Sequence, residues 1–171
     1  MKKLLIIVPI LAIVTLTIFA VSGIRHKKEV RSGISQFPDI ELKSLSGTDI
    51  RIKDSLRAFS IPTAVILFST QCDFCEYEMK EIIDNISDFP ANCKILLLSS
   101  ENIVDLRLFH DKYKIYDYEI LSVYQLSNEQ ISKKFGTVST PAIFIYDQNG
   151  ALVRQFTGET KAAVLIDNLS F

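Results

Sequence analysis

Metal-binding side chains are scarce in this chain, which holds three cysteines and two histidines. Cys72 and Cys75 form one C-x-x-C pair, and a tetrahedral zinc site would need about two more ligands beside them. Only Cys93, His26 and His110 remain, none in paired spacing, so the pair has no partners for a zinc centre and no metal is expected. Charge of one sign is lacking too. Lys and Arg number 19 against 20 Asp and Glu, a net charge of −1, which removes the basic footprint of a nucleic-acid binder. There is no internal repeat and no low-complexity segment. The 171 residues bound the chain to one globular domain plus an appendage.

The appendage is N-terminal. Met1-Lys2-Lys3 leads into an uncharged run from Leu4 to Val21, followed by Ser22-Gly23 and then Arg25, Lys27, Lys28 and Arg31. A helix of that length nearly crosses a bilayer core, and it exceeds the roughly 7–15 apolar residues of a cleaved signal. It is read as a signal anchor, with a cleaved signal peptide as the rival because Ala20-Val21-Ser22 offers small residues at the right spacing. No cysteine follows the run to carry a lipid. A count of positive charges would keep the domain in the cytoplasm, whereas the short basic start resembles an export signal. The expected location is the cytoplasmic membrane, single-pass, with the domain on the extracytoplasmic, periplasmic side. The division is residues 1–33 as anchor and tether and 34–171 as the folded domain.

The thiol pair stands at a structural junction. Thr63 to Phe68 is apolar and β-branched, long enough for a buried strand, and a polar break then leads to Cys72-Asp73-Phe74-Cys75. Apolar residues follow at Met79, Ile82, Ile83 and Ile86, a helical period. Two thiols in the first turn of a helix lie close enough to open and close a disulfide. Free backbone N–H groups there favour a thiolate on Cys72, and Cys75, one turn in, is expected to be more buried. Cys72 is the candidate nucleophile and Cys75 the resolving thiol. A purely structural disulfide is the alternative, though so short a loop removes little chain entropy.

Around this junction, Ile40 and Leu42 alternate with charges before a Ser46-Gly47 turn and a second alternation at Ile50 and Ile52, a β-hairpin with one buried face. Asp54 to Phe59 is read as a short helix or turn. The helix from Cys72 is expected to reach about Phe89, where Pro90 ends it. Lys94 to Ser99 is a buried strand with Cys93 as a small core residue at its start, and Asn102 to Tyr113 is a second helix with His110 on its surface. Glu119 to Tyr124 is a weaker strand. Ser127 and Gln130 match a capping box and Gly136 a helix end. Ala142 to Tyr146, the Asp147-Gln148-Asn149-Gly150 turn and Ala151 to Phe156 make a terminal hairpin, and Thr160 to Leu169 a last helix. Alternating strands and helices imply an α/β fold with a mixed sheet covered on both sides.

Strand, C-x-x-C at a helix start, β-α-β, then Thr140-Pro141 before a hairpin: this order resembles the thioredoxin superfamily over about residues 37–169. The Pro38-Asp39-Ile40-Glu41-Leu42 opening, the F-S-T-Q-C run and the N-terminal anchor look like its membrane-tethered thiol-disulfide reductases, which include those acting on apocytochrome thiols in cytochrome c maturation. The resemblance implies a thioredoxin-like fold with an N-terminal hairpin extension, and a cis Pro141 beside Cys72. It also implies a substrate groove formed by Thr140, Pro141, Gln71 and Phe74. Partners would be a protein thiol or disulfide and a membrane electron donor. No cofactor is expected, because the two sulfurs carry the electrons.

Three departures from the superfamily stand out. Gln71 replaces the aromatic residue usual before the first cysteine. Ile66 occupies the place of the buried acid in the preceding strand, and Glu76 and Glu78 are read as a solvated helix face, so Cys75 has no assigned proton acceptor. Asp73 sets a negative charge beside the candidate thiolate, withdrawing stability from the reduced form and arguing for a reducing couple. A peroxiredoxin-like peroxidase is an alternative, since Ser69 precedes Cys72 by three residues as a hydroxyl does in that family; against it, Val65 stands where that family has proline. A non-catalytic binding module is the other.

Overall fold

The computed structural model describes Thr15, residues 33–52 and residues 61–170. The Leu4 to Val21 anchor, apart from Thr15, and the Asp54 to Phe59 helix lie outside the described residues. Among the described residues no helix is long and apolar enough to cross a membrane.

Among the described residues, seven strands form one sheet. They are β1 (Glu41–Lys43), β2 (Asp49–Arg51), β3 (Thr63–Leu67), β4 (Lys94–Ser99), β5 (Leu121–Gln125), β6 (Ala142–Tyr146) and β7 (Leu152–Thr157), in the spatial order β2-β1-β5-β4-β3-β6-β7. β3, β4 and β5 run parallel, while β1, β2, β6 and β7 are each antiparallel to their neighbours. The helices that cover the sheet are, among the described residues, α1 (Asp73–Asp84), α2 (Ile103–Lys112), α3 (Asn128–Phe135) and α4 (Ala162–Leu169). This is the thioredoxin-like mixed sheet expected from the sequence, with the N-terminal hairpin at its edge.

All five residues of β3 are buried because helices cover both faces of the sheet. On one face Ala64 and Ile66 meet Cys75, Met79 and Ile82 of α1, Leu106 and Phe109 of α2, and Leu165 and Leu169 of α4. On the other, Val65 and Leu67 pack with Leu96, Leu98, Leu126 and Phe135. Burying each such aliphatic side chain is worth about 1.5–3 kcal/mol, which fixes the strand that leads to the thiols.

The first helix is shorter than expected. It stops at Asp84, where the Asn85 amide turns back onto the Glu81 carbonyl at 2.8 Å, and a 3₁₀ turn over Ile86–Asp88 covers the remaining distance to Pro90. Local side-chain competition for a backbone carbonyl ends it before proline does. The capping box is half made: Ser127 Oγ accepts from Gln130 N, but the Gln130 side chain bonds the backbone of Glu41, tying α3 to β1. Gly136 closes α3 at φ 81°, a value that favours glycine.

Candidate active site

β3 delivers the thiols at its C-terminal end. Phe68 continues the sheet through its N–H to the Leu98 carbonyl at 3.0 Å, and a tight turn follows in which Cys72 N donates to Ser69 O at 3.3 Å. Cys72 is the N-cap of α1. Its Sγ accepts the Cys75 N–H at 3.3 Å, doing what a serine or aspartate oxygen does at most helix starts.

Cys72 and Cys75 are both free thiols. Cys72 is half-buried, and Cys75 behind it is 3% exposed. Burial, and then the hydrogen-bonded sulfur of Cys72, push the Cys75 thiol up to about 12, so it needs a base to react. Cys93 is buried at the start of β4, as expected for a core residue, and its thiol is pushed up to about 11 by burial.

From the other side comes the Thr140-Pro141 segment, which enters β6. The peptide between them is cis. The Cys72 thiol points at the Thr140 carbonyl, 3.6 Å away. The register pair Leu67↔Ala142 explains the meeting: the end of β3 lies opposite the beginning of β6. Gln71 and Phe74, the other expected groove residues, flank Cys72 with exposed side chains, Phe74 at 62%.

Glu78 corrects the sequence reading. It is 2% exposed, not solvated, and lines a cavity of about 10 Å³ together with Cys75, Phe68 and Pro141. That volume is near the smallest that admits one water. Glu78 Oε2 accepts the Thr160 N–H at 2.7 Å, while Oε1 has no partner among the described residues. Burial raises its carboxyl to about 7; the Thr160 N–H works against this, and the charges of Glu159 and Glu81 add to it. The signal was in the spacing: Cys75, Glu78, Met79 and Ile82 are one i, i+3, i+4, i+7 stripe, so this acid occupies a core position. Glu76, by contrast, faces outward and pairs with Lys112 of α2 at 2.6 Å.

A second acid also escaped the sequence reading. Glu101 follows β4, and its Oε1 accepts the Ser69 hydroxyl at 2.6 Å while Oε2 accepts the Thr70 N–H at 2.8 Å and the Ser99 hydroxyl at 3.4 Å. Burial acts to raise this carboxyl, but the hydrogen bonds from Ser69, Thr70 and Ser99 outweigh it and hold it below the usual carboxylate value. Ser69 Oγ in turn accepts the Gln71 N–H at 3.2 Å. The turn before Cys72 is thus clasped to the end of β4. His110 is only half-buried and makes a 3.3 Å contact with Asp111, remote in sequence from any thiol.

Comparison with known proteins agrees with this geometry. A protein-family model described as the AhpC/TSA family matches residues 35–155. No curated protein matches the chain. Among solved structures, a thiol:disulfide interchange protein of Chlorobium tepidum TLS aligns at TM-score 0.64 and 14% identity, over 80% of this chain and 94% of its own. The exposed lipoprotein thioredoxin Etrx1 of Streptococcus pneumoniae TIGR4 aligns at TM-score 0.60 and 17% identity, covering 77% and 98%. A peroxiredoxin-like protein of Aquifex aeolicus aligns at TM-score 0.62 and 13% identity, covering 80% and 84%. At these identities the likeness is one of fold.

Proposed function

The chain belongs to the AhpC/TSA family, and from that premise we propose that it is a thiol-disulfide oxidoreductase that reduces protein disulfides through Cys72 and Cys75. One arrangement carries the reading. A half-buried sulfur caps a helix 3.6 Å from the Thr140 carbonyl, and a buried second thiol behind it shares a cavity with an acid.

The Cys72 thiolate attacks one sulfur of a substrate disulfide. That S–S bond breaks, a mixed disulfide forms, and the departing substrate thiolate takes a proton from solvent. Cys75 then gives its proton to Glu78 and attacks Cys72 Sγ, which breaks the mixed disulfide and closes the Cys72–Cys75 disulfide. The second substrate sulfur leaves as a thiolate that takes its proton from solvent, to which Glu78 returns its own. Two electrons pass from the enzyme sulfurs to the substrate, and the two protons reach it from solvent. Thr140, Pro141, Gln71 and Phe74 border the path of the substrate chain.

The peroxidase reading loses its main support in the same geometry. A serine hydroxyl has one proton, and Ser69 commits it to Glu101 at 2.6 Å.

The proposal extends to the whole chain: residues 1–33 anchor it in the cytoplasmic membrane, and residues 34–171 act on the periplasmic side. The uncharged run from Leu4 to Val21 behind Lys2 and Lys3 supports this. A membrane electron donor would regenerate the dithiol, and apocytochrome thiols are one substrate class consistent with the resemblance. Asp73 beside Cys72 supports a reducing couple.

A Cys75→Ser variant tests the core of the reading, since it should accumulate a mixed disulfide through Cys72 that a reducing agent dissolves. Absence of any such adduct would overturn it. Equilibration with glutathione or dithiothreitol should give a potential near that of thioredoxin, about −270 mV, and a value near about −120 mV would reverse the direction.

A further inference from the structure

A second recess lies beside the thiols and takes no part in the chemistry above. It has a volume of about 210 Å³ and sits at the C-terminal ends of β3 and β4, bordered by Ser69, Glu101, Asn128, Ile131, Val138 and Thr140. Its rim is open, with Asn128 and Thr140 exposed. Thr140 is shared with the active site, so the mouth of this recess adjoins the approach to Cys72.

The recess has a charged wall and apolar sides. Glu101 carries the charge, and no Lys, Arg or His lies within ion-pair distance of it among the described residues. Its donors are Ser69, Thr70 and Ser99, all neutral, so they secure the carboxylate without cancelling it. The Thr70 side chain adds a fourth neutral contact, so what the recess offers a cation is the uncancelled negative charge rather than a vacant acceptor position. Ile131 and Val138 supply apolar surface on the way in. A long stem with a cationic head suits such a site, because the stem covers the apolar walls while the head reaches the carboxylate.

We propose that this recess is a specificity subsite that receives a lysine or arginine side chain of the protein substrate, near its disulfide, with Glu101 as the counter-charge. The inference rests on the oxidoreductase reading and names the kind of substrate that reading leaves open.

The test uses the full-length protein in mild detergent. Substrates are short synthetic peptides closed by one disulfide, carrying Lys or the near-isosteric Met at each of the three positions on either side of the disulfide cysteines. For at least one position the Lys peptide should be reduced with a kcat/KM roughly tenfold above its Met counterpart, and the ratio should shrink as salt is added. In Glu101→Gln that ratio should collapse to about one. The variant also loosens the turn before Cys72, but this slows both peptides alike and cancels in the ratio, so a merely structural role would leave the ratio unmoved. A Lys/Met ratio of one at every position, or a preference that Glu101→Gln leaves intact, overturns the subsite while leaving the oxidoreductase standing. Failure of the wild-type chain to reduce any peptide or insulin overturns the oxidoreductase reading and the subsite with it.

Discussion

Glu78 stands one helical turn beyond Cys75, and the two side chains line a single cavity too small for more than one water. A thiol pushed up to about 12 and a carboxyl raised to about 7 therefore face a shared, nearly dry space. The acid that thioredoxins carry in the strand before the motif, where this chain has Ile66, is supplied here from the helix after it.

The resolving step should follow the ionisation of Glu78. Only the carboxylate can accept a proton from Cys75, so release of substrate from the mixed disulfide should rise through a pH of about 7 and level off above it. Glu78→Gln should remove that inflection and slow the release on the order of 10²-fold. Stopped-flow measurement of the release across pH 5 to 9 would read both; an unchanged profile in the variant would remove Glu78 from the mechanism.

The same residue should leave a mark on stability, with a definite sign. Its carboxyl is raised in the folded state, so between its unfolded value of 4.5 and about 7 the native protein binds more protons than the unfolded chain. The contribution is fully present below 4.5 and is lost as pH rises through about 7. Above that, a buried carboxylate with one oxygen unpartnered costs on the order of 3 kcal/mol. Glu78→Gln should raise the melting temperature at pH 8 and leave it nearly unchanged at pH 4.5, as followed by circular dichroism.

Alkylation should separate the three thiols. Cys72 is the accessible one, whereas Cys75 and Cys93 are 3% and 1% exposed with thiols held up at about 12 and 11. Brief iodoacetamide treatment of the native reduced protein should label Cys72 alone, and peptide mass spectrometry would locate the adduct. Cys93→Ala should retain full activity and lose about 1 kcal/mol of stability, as a small core truncation does.

Peroxide offers a negative expectation. With the Ser69 proton held by Glu101, Cys72 in a Cys75→Ser variant should be oxidised by hydrogen peroxide no faster than an ordinary free thiol. Consumption orders of magnitude faster, measured with a peroxide electrode, would restore the peroxidase reading.

Much of the architecture could be read from periodicity, because β3, β4 and β6 are continuous apolar runs and α4 repeats its apolar face at Ala162, Leu165 and Leu169. Cys72, Cys75 and Thr140-Pro141 were visible as motif residues. The two acids were not, for different reasons. Glu78 is of a residue type that favours the surface, and only its place in the i, i+3, i+4, i+7 stripe with Cys75, Met79 and Ile82 marks it as buried. Glu101 lies far along the chain from Ser69, and nothing local marks it; only the parallel pairing of β3 with β4 brings the two together. The early end of α1 depended on one Asn85 side chain choosing a carbonyl.

The pairing of Leu67 with Ala142 joins segments from opposite halves of the domain. While the chain is being made, Cys72 leaves the ribosome long before Thr140 does, and for that interval it is a thiol on an unfinished sheet. The helix cap at Cys72 can assemble early, but neither the cavity around Cys75, which Pro141 lines, nor the groove can exist until β6 docks. A truncated or stalled product would therefore hold the sulfurs without the surface that selects what they react with, so fidelity towards partners is the last property this protein acquires during its synthesis.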